Sequence, residues 1–224
     1  MNIEELNKLG VPDFAINYFK NQKITALNSA QLKAIGKGLL EGRNLLVCTP
    51  TGSGKTAIAT FAIARNLSRN NGSKAIYLVP LRALASEKYK DYKALFKDSG
   101  FKVAISTGDL DSADEWFDKY DVIILTVEKM DSILRHNASW LSGVSTIVVD
   151  EVHLLNDVGR GPTLEILLTI LKQLLKNAQV IALSATIGNA KELAEWLNAE
   201  LVIDNWRPVK LHKGIYLDGE IEFD

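Results

Sequence analysis

The chain has 224 residues, and its 26 lysine and arginine side chains nearly balance its 27 aspartate and glutamate side chains, giving a formal net charge of −1. This balance argues neither for nor against a nucleic-acid partner, and we expect any phosphate binding to be local, through particular loops and helix N-termini rather than a basic face. One cysteine, Cys48, excludes an internal disulfide, and with no membrane-length apolar run or signal peptide we expect a cytoplasmic protein without membrane partners.

In chain order, residues 1–42 predict two helices, and after them short apolar strands alternate with helical patterns. Several strands are apolar on both faces, which is typical of a parallel sheet covered by helices. The predicted strands are Asn44–Thr49, Ala75–Val79, Lys102–Ser106, Asp121–Thr126, Ser145–Val149, Val180–Ser184 and Glu200–Ile203. The predicted helices are Lys55–Arg69, Ala83–Lys97, Glu128–His136, Pro162–Lys176 and Ala190–Leu197.

The alternation predicts a doubly wound α/β domain: a mostly parallel sheet with helices on both faces and ligands at the carboxyl ends of the strands. In the fourth of these helices, leucines at helical spacing predict a stripe that packs on the sheet. They are Leu164, Leu167, Leu168, Leu171, Leu174 and Leu175. After residue 204 the alternation stops, and the sequence predicts extended segments with a turn at Asp218 and Gly219.

The stretch CTPTGSGKTAIATFAIA, residues 48–64, places glycines and a lysine between a predicted strand and a predicted helix. This is the context of a phosphate-binding loop: Gly52 and Gly54 let successive N–H groups point inward, and the helix N-terminus favours an anion. Lys55 is then expected to contact the β- and γ-phosphates of ATP, and the Thr56 hydroxyl to bind Mg²⁺. The alternative is a glycine-rich turn with a surface lysine.

One position departs from the usual pattern of this loop. The pattern has glycine, often alanine, five positions before Gly54, where this chain has Thr49. The dense TGSGKT run in the right context still predicts ATP binding by the whole loop. The candidate ATP-binding residues are Thr49, Pro50, Thr51, Gly52, Ser53, Gly54, Lys55 and Thr56.

A pair of adjacent carboxylates narrows the range of possible functions. The run STIVVDEVH, residues 145–153, predicts an apolar strand that ends in Asp150 and Glu151. Because the carboxyl ends of parallel strands meet at one edge of the sheet, we expect this pair beside the phosphate loop. Asp150 is suited to bind Mg²⁺, and Glu151 to position or deprotonate the attacking water. The alternative is a solvated acidic turn.

Taken together, the TGSGKT run, the DEVH run and the SAT run at Ser184–Thr186 resemble the motifs of one family. They are similar to the first motor domain, a RecA-like P-loop domain, of the superfamily-two DExH-box helicases. GRGPTLE, Gly159–Glu165, and NWRPVKL, Asn205–Leu211, bring the chain closer to the archaeal Hjm-type DNA repair helicases, relatives of the Ski and Brr RNA helicases. The resemblance covers nearly the whole chain, with the motifs in the family's order.

The resemblance implies a set of contacts to a nucleic-acid backbone. PLRALASEK, Pro80–Lys88, STGD, Ser106–Asp109, and TVEKMDSILR, Thr126–Arg135, are similar to three backbone-contacting motifs, although Val127 stands where the family usually has proline. Such contacts position a strand without reading its bases. The candidate residues are Pro80, Arg82, Thr107, Gly108 and Thr126.

The resemblance also gives roles to five residues near the ATP site. Gln31 lies where the family has an adenine-reading glutamine, although the usual prolines before it are absent; the alternative is a polar residue on a surface helix. His153 is expected to act with Lys55, Asp150 and Glu151 in catalysis by bridging DEVH to SAT. The residues expected to couple the ATP site to unwinding are Ser184, Ala185 and Thr186.

The function implied by the resemblance is an ATP- and Mg²⁺-dependent DNA helicase, acting with 3′-to-5′ polarity on forked or branched DNA in replication-coupled repair. The expected parts are a helical segment, 1–42, with the adenine-reading motif, an ATP-binding domain, 43–204, and a tail, 205–224, toward a second motor domain. The expected partners are single-stranded or forked DNA and that second domain, in a monomeric protein.

Three other functions stay open at this point. They are an RNA helicase motor, a double-stranded DNA translocase and a non-enzymatic module that keeps the fold, of which the last is disfavoured by the intact Lys55, Thr56, Asp150 and Glu151. No run resembling the arginine-finger motif of the second motor domain follows Asp224, so weak ATP turnover is expected from this chain alone.

Overall fold

The structure, a computed structural model, describes residues 1–108, 114–136, 138–209 and 214–223. Its centre is a parallel sheet of seven strands within these ranges. The strands are β1 (Leu45–Cys48), β2 (Lys74–Val79), β3 (Val103–Ser106), β4 (Val122–Thr126), β5 (Val144–Val149), β6 (Gln179–Ser184) and β7 (Glu200–Ile203). Their spatial order is β3-β4-β2-β5-β6-β1-β7. The first strand of this sheet in the sequence, β1, therefore lies between its last two strands, β6 and β7.

Helices cover both faces of the sheet. The α-helices are α1 (Asp13–Asn21), α2 (Ser29–Gly36), α3 (Lys55–Arg69), α4 (Arg82–Leu95), α5 (Val127–Arg135), α6 (Gly161–Leu174) and α7 (Ala190–Leu197). The 3₁₀ helices are Ile3–Leu9, Leu39–Glu41, Glu115–Lys119, Ser139–Gly143 and Val152–Asn156. The fold class predicted from the sequence is therefore confirmed, with α3 and α7 at their predicted bounds.

Alternate strand residues point into two separate apolar cores, as the period of an extended chain requires. Leu45 and Val47 of β1 face one core, which contains α1, α3 and α4. Leu46 and Cys48 face the other, which contains α5, α6 and α7. The N-terminal residues belong to the first core, where Ile3, Leu6 and Phe19 are buried and the Phe19 ring lies 5.1 Å from that of Phe61.

The predicted leucine stripe of α6 is wrong at one position. Leu164, Leu167, Leu168 and Leu171 are buried, whereas Leu174 is 59% exposed. Leu174 follows Ile166 and Ile170 at four-residue spacing and lies on their exposed face, although its seven-residue spacing from buried Leu167 also fits the buried face.

A buried polar cluster closes the amino-terminal edge of the sheet, far from the phosphate loop. The Asn66 amide donates to Thr146 Oγ1 at 2.8 Å and to Gln179 Oε1 at 2.9 Å. The Gln179 amide in turn donates to the carbonyls of Leu39 and Arg43, at 2.8 and 2.7 Å. Each amide therefore has a partner, which is what burial of polar groups requires.

The tail contains an antiparallel hairpin of β8 (Gly214–Leu217) and β9 (Glu220–Phe223). The predicted turn is confirmed: Asp218 and Gly219 have φ values of 49° and 93°, the left-handed pair that a two-residue hairpin turn needs. Residues 210–213 and 224 of the predicted tail lie outside the described residues. Among the described helices, none combines the length and the apolar character that a membrane crossing demands.

Candidate nucleotide-binding site

The phosphate loop connects β1 to α3 through two glycines in the left-handed region, Gly52 at φ 80° and Gly54 at φ 82°. An added Cβ at Gly54 would also lie 2.8 Å from Gln31 Nε2, so the Gln31 side chain would have to shift. The loop delivers the chain to the N-terminus of α3, where unpaired N–H groups favour an anion. The predicted strand, loop and helix are thus in place.

Thr49, the departure from the usual loop pattern, is accommodated by a hydrogen bond inside the loop. Its buried hydroxyl lies 2.7 Å from the hydroxyl of Ser53, which is also buried. Asn28 braces the same turn from outside, donating through its amide to the Ser53 carbonyl at 2.8 Å. A threonine is therefore compatible with the loop, since it gives Ser53 a partner that glycine lacks.

Lys55 folds over the loop rather than into solvent. Its ammonium group donates to the carbonyls of Thr49 at 2.8 Å and Pro50 at 3.2 Å. Burial lowers the pKa of Lys55, and the carboxylates of Glu151 and Asp150 offset part of that shift. The cation is thus held at the loop, within the electrostatic reach of the acid pair that the sequence predicted beside it.

Asp150 is held at both carboxylate oxygens. It follows β5, which lies between β2 and β6, and its N–H donates to the Leu78 carbonyl at 2.9 Å. Oδ1 accepts the Glu151 N–H at 3.0 Å, and Oδ2 accepts the Tyr77 hydroxyl at 2.9 Å. Thr56 and Asp150, the predicted Mg²⁺ ligands, both offer oxygen donors, and such donors fit that cation.

Glu151 has a left-handed backbone, φ 53° and ψ 43°, which is uncommon for a residue with a side chain. Its Oε2 lies 3.2 Å from His153 Nδ1. The Ala185 N–H points at the same imidazole nitrogen from 3.5 Å. The structure therefore brings the DEVH and SAT runs together at His153, as the resemblance implied. Such strain is concentrated at functional sites.

Of the other two SAT residues, Ser184 is buried at the end of β6 and Thr186 is exposed. Ser184 ends β6 beside Cys48, the residue it pairs with at the end of β1. Burial raises the pKa of the Cys48 thiol, and Ser184 and Lys55 oppose that shift. Cys48 therefore behaves as a small core residue.

Gln31 lies against the phosphate loop and is only 5% exposed, so the alternative of a surface residue is excluded. Its Oε1 accepts the Asn28 N–H at 3.0 Å, and its Nε2 donates to the Gly54 carbonyl at 3.5 Å. Asn28 and Gln31 form a capping box at the start of α2. That signal is readable from the sequence as asparagine followed three positions later by glutamine. The role of Gln31 in adenine binding stays a prediction.

A cavity of about 350 Å³ opens beside the loop, next to Gln31, Gly54 and Thr56. Its other wall comes from α4, where buried Lys88 places Nζ 3.4 Å from Thr56 Oγ1. Sequence reasoning missed two residues here, Tyr77 and Lys88. Neither carries a signal in the sequence, because each reads as an ordinary strand or helix residue.

The predicted nucleic-acid contacts follow β2, β3 and β4, whose carboxyl ends share one edge of the sheet with the phosphate loop. Arg82 and Gly108 are exposed, Thr107 is partly buried and Pro80 is buried. The Thr126 hydroxyl is buried and accepts the Lys129 N–H at the start of α5, at 3.4 Å. Asp109 of the STGD run lies outside the described residues.

Comparison with known proteins agrees with this geometry. "ATP-dependent DNA helicase Hel308" of Pyrococcus abyssi is 51% identical over 219 residues, which are 98% of this chain and 30% of that protein. The protein of the same name from Methanocaldococcus jannaschii is 50% identical over 216 residues, 94% of this chain and 18% of that protein. The chain therefore spans less than a third of the length of these curated relatives.

Two solved structures share the fold. One is a crystal structure of the DUF1998 helicase MrfA bound to DNA, with a TM-score of 0.76 and 24% identity over 88% of this chain and 30% of that one. A second, of MrfA bound to DNA and AMPPNP, matches with the same TM-score, 25% identity, and 88% and 29% coverage. The predicted RecA-like fold is confirmed by these matches.

The family model described as DEAD/DEAH box helicase matches residues 28–193. That range runs from the Asn28–Gln31 capping box through the phosphate loop, the acid pair and the SAT run to α7. The resemblance drawn from the sequence motifs is thereby confirmed. The chain belongs to the DEAD/DEAH box helicase family.

Proposed function

We propose that this chain is the ATP-binding first motor domain of an ATP-dependent DNA helicase. The observation that carries the proposal is the convergence of Lys55, Thr56, Asp150 and Glu151 at one edge of the sheet, with the loop cation within the electrostatic reach of both acids. The printed name of the relatives supports the same activity.

Each residue of the site has a chemical task in ATP hydrolysis. Lys55 exchanges its loop carbonyl acceptors for phosphate oxygens, which compensates the loss of those hydrogen bonds. Thr56 and Asp150 are placed to hold Mg²⁺, which neutralises phosphate charge when bound. Glu151 orients the attacking water and accepts its proton at the carboxylate. Gln31 and the adjoining cavity are placed to hold the adenine.

Single-stranded DNA is proposed to cross the edge formed by Pro80, Arg82, Thr107 and Gly108, with Thr126 behind it. Arg82 is the one cation among these residues, and the others offer backbone and hydroxyl groups. Such contacts position the phosphates of the strand without reading its base sequence. DNA is chosen because the relatives are named DNA helicases and both MrfA structures are bound to DNA. Polarity of 3′-to-5′ and forked or branched repair substrates are proposed from the resemblance.

The tail is proposed to face a second motor domain of a longer, monomeric and cytoplasmic protein. The hairpin exposes apolar side chains, among them Ile215, Tyr216, Leu217 and Phe223, each at least 62% exposed. Apolar surface of this kind is typical of an interface. Ser184, Ala185 and Thr186 are proposed to transmit the state of the ATP site toward that domain.

The test is a titration of the chain with a fluorescent ATP analogue and Mg²⁺, comparing Lys55→Ala with a surface control, Lys90→Ala. Loss of a charge-assisted hydrogen bond is expected to weaken binding roughly ten- to a hundredfold in Lys55→Ala alone. Single-stranded DNA is expected to change the nucleotide affinity more than RNA of the same sequence. Equal affinities for the two lysine variants would contradict the ATP site, and an equal RNA effect would contradict the choice of DNA.

A further inference from the structure

Tyr77 is an unusual residue for the middle of a central strand. It lies in β2, between β4 and β5, opposite Ile124 and Val148, and is fully buried. Its strand neighbours on the same face are apolar, Ala75 and Val79. An aliphatic side chain would pack there without a polar group to satisfy, whereas a buried phenol needs a hydrogen-bond partner. The partner it has therefore indicates why a tyrosine is there.

The phenol reaches across from β2 to Asp150, one of the two residues placed to bind Mg²⁺. Its hydroxyl donates to Asp150 Oδ2 at 2.9 Å. The other carboxylate oxygen, Oδ1, accepts the Glu151 N–H at 3.0 Å, so each oxygen has its own donor. The Tyr77 hydroxyl has a single proton to donate, and this hydrogen bond fixes the rotation of the Asp150 carboxylate.

We propose that Tyr77 is the positioning residue of the magnesium site, acting through Asp150. The inference rests on the proposed function, because it concerns the same ATP site. Mg²⁺ demands near-ideal octahedral geometry, so a freely rotating carboxylate or hydroxyl weakens its binding. Hydrogen-bond partners of metal ligands typically contribute ten- to a hundredfold in metal affinity. Because Tyr77 acts through Asp150, it is a positioning residue and not a catalytic residue.

The experiment compares Tyr77→Phe with Tyr92→Phe. Both variants lose one phenol oxygen from the same aromatic cluster, in which the two rings lie 5.4 Å apart. The Tyr92 hydroxyl contacts Thr60 rather than Asp150. For each, the Mg²⁺ concentration that gives half-maximal binding of a fluorescent, non-hydrolysable ATP analogue is measured, together with analogue binding in EDTA and the unfolding temperature.

In Tyr77→Phe the Mg²⁺ midpoint is expected to rise ten- to a hundredfold, with binding in EDTA unchanged. Tyr92→Phe is expected to keep the wild-type midpoint. A Tyr77→Phe variant with a lower unfolding temperature and a wild-type midpoint would overturn the inference, because the phenol would then serve the fold alone. Wild-type protein that binds no analogue with Mg²⁺ would overturn the proposed function as well, so the two failures are distinguishable.

Discussion

At the residue scale, the strained backbone of Glu151 ties its position to its chemistry. The left-handed conformation turns the side chain toward His153 and places its N–H on Asp150. A non-glycine residue in this region costs of order 1–3 kcal/mol, which the surrounding contacts offset. The Glu151 carboxylate is therefore fixed close to Asp150 and His153 rather than free in solvent.

This position gives a prediction for Glu151→Gln. The amide keeps the size of the side chain but cannot accept a proton, so ATP hydrolysis is expected to fall by roughly 10²- to 10⁴-fold. Binding of the ATP analogue is expected to stay within about twofold of wild type. Single-turnover hydrolysis and analogue titration check the two parts, with Glu195→Gln on the exposed face of α7 as control. Hydrolysis at the wild-type rate in Glu151→Gln would exclude its role as base.

Residue roles were predictable from the sequence only where they depend on near neighbours. The phosphate loop follows from glycine and lysine spacing within a few positions, and the structure places Gly52, Gly54 and Lys55 accordingly. Tyr77 contacts a carboxylate 73 positions away, and no local pattern reports such a pair. The role of Lys88 was missed for the same reason, since only the packing of α4 on the sheet brings it to Thr56.

At the element scale, the N-terminus of α6 depends on one glycine. A Cβ at Gly161 would lie 2.2 Å from the Leu155 carbonyl oxygen, so the helix start packs directly on backbone. The contacted 3₁₀ helix, Val152–Asn156, carries His153. Gly161 of the GRG run therefore allows the start of α6 to pack closely against the 3₁₀ helix that follows the acid pair.

Gly161→Ala is accordingly expected to destabilise the protein by about 1–3 kcal/mol, because a backbone shift must relieve the overlap. Gly188→Ala is the matched control, since open space surrounds its added Cβ. Urea unfolding of both variants measures the difference. Equal midpoints for the two alanine variants would show that the start of α6 adapts without cost.

The elements themselves were largely predictable, and their arrangement was not. Short apolar runs and helical periodicity place the strands and helices within a few residues, and the Asp218-Gly219 turn follows from residue type. The order of strands across the sheet depends on contacts between distant segments, which periodicity does not contain. The exposure of Leu174 was missed because the period of 3.6 admits it to either face.

At the scale of the whole molecule, Asp204 joins three parts of the chain. It follows β7 and is 7% exposed, with Oδ2 2.9 Å from the ammonium of Lys33 in α2. Its Oδ1 accepts the Trp206 N–H at 2.7 Å, at the start of the tail. The end of the sheet, the helix that carries Gln31 and the departing tail are thus held by one carboxylate.

Asp204 also makes stability depend on pH. Burial raises the pKa of Asp204, but hydrogen bonds from Lys33, the Trp206 N–H and Ser29 together bring it below its ordinary value. A lowered pKa in the folded state means that the stabilisation is present above about pH 4 and is lost as pH falls through the lowered value.

Asp204→Asn is therefore expected to lower the free energy of unfolding by roughly 1–3 kcal/mol at pH 7, and by progressively less below pH 4. Urea unfolding of wild type and variant across this pH range measures the difference, with exposed Asp98→Asn as a control for net charge. If the difference in free energy of unfolding between wild type and variant stayed constant down to pH 2, the contribution of Asp204 would not depend on its ionisation.

The position of β1 between β6 and β7 limits the order in which the strands of the sheet can pair during folding. On the ribosome β1 emerges before every other strand of the described sheet, yet its two neighbours emerge last. Pairings between such distant segments form slowly, and an unpaired apolar strand is exposed to aggregation in the meantime. The candidate nucleotide site is consequently completed only after β6 and β7 have emerged, so ATP cannot assist the earlier stages of folding.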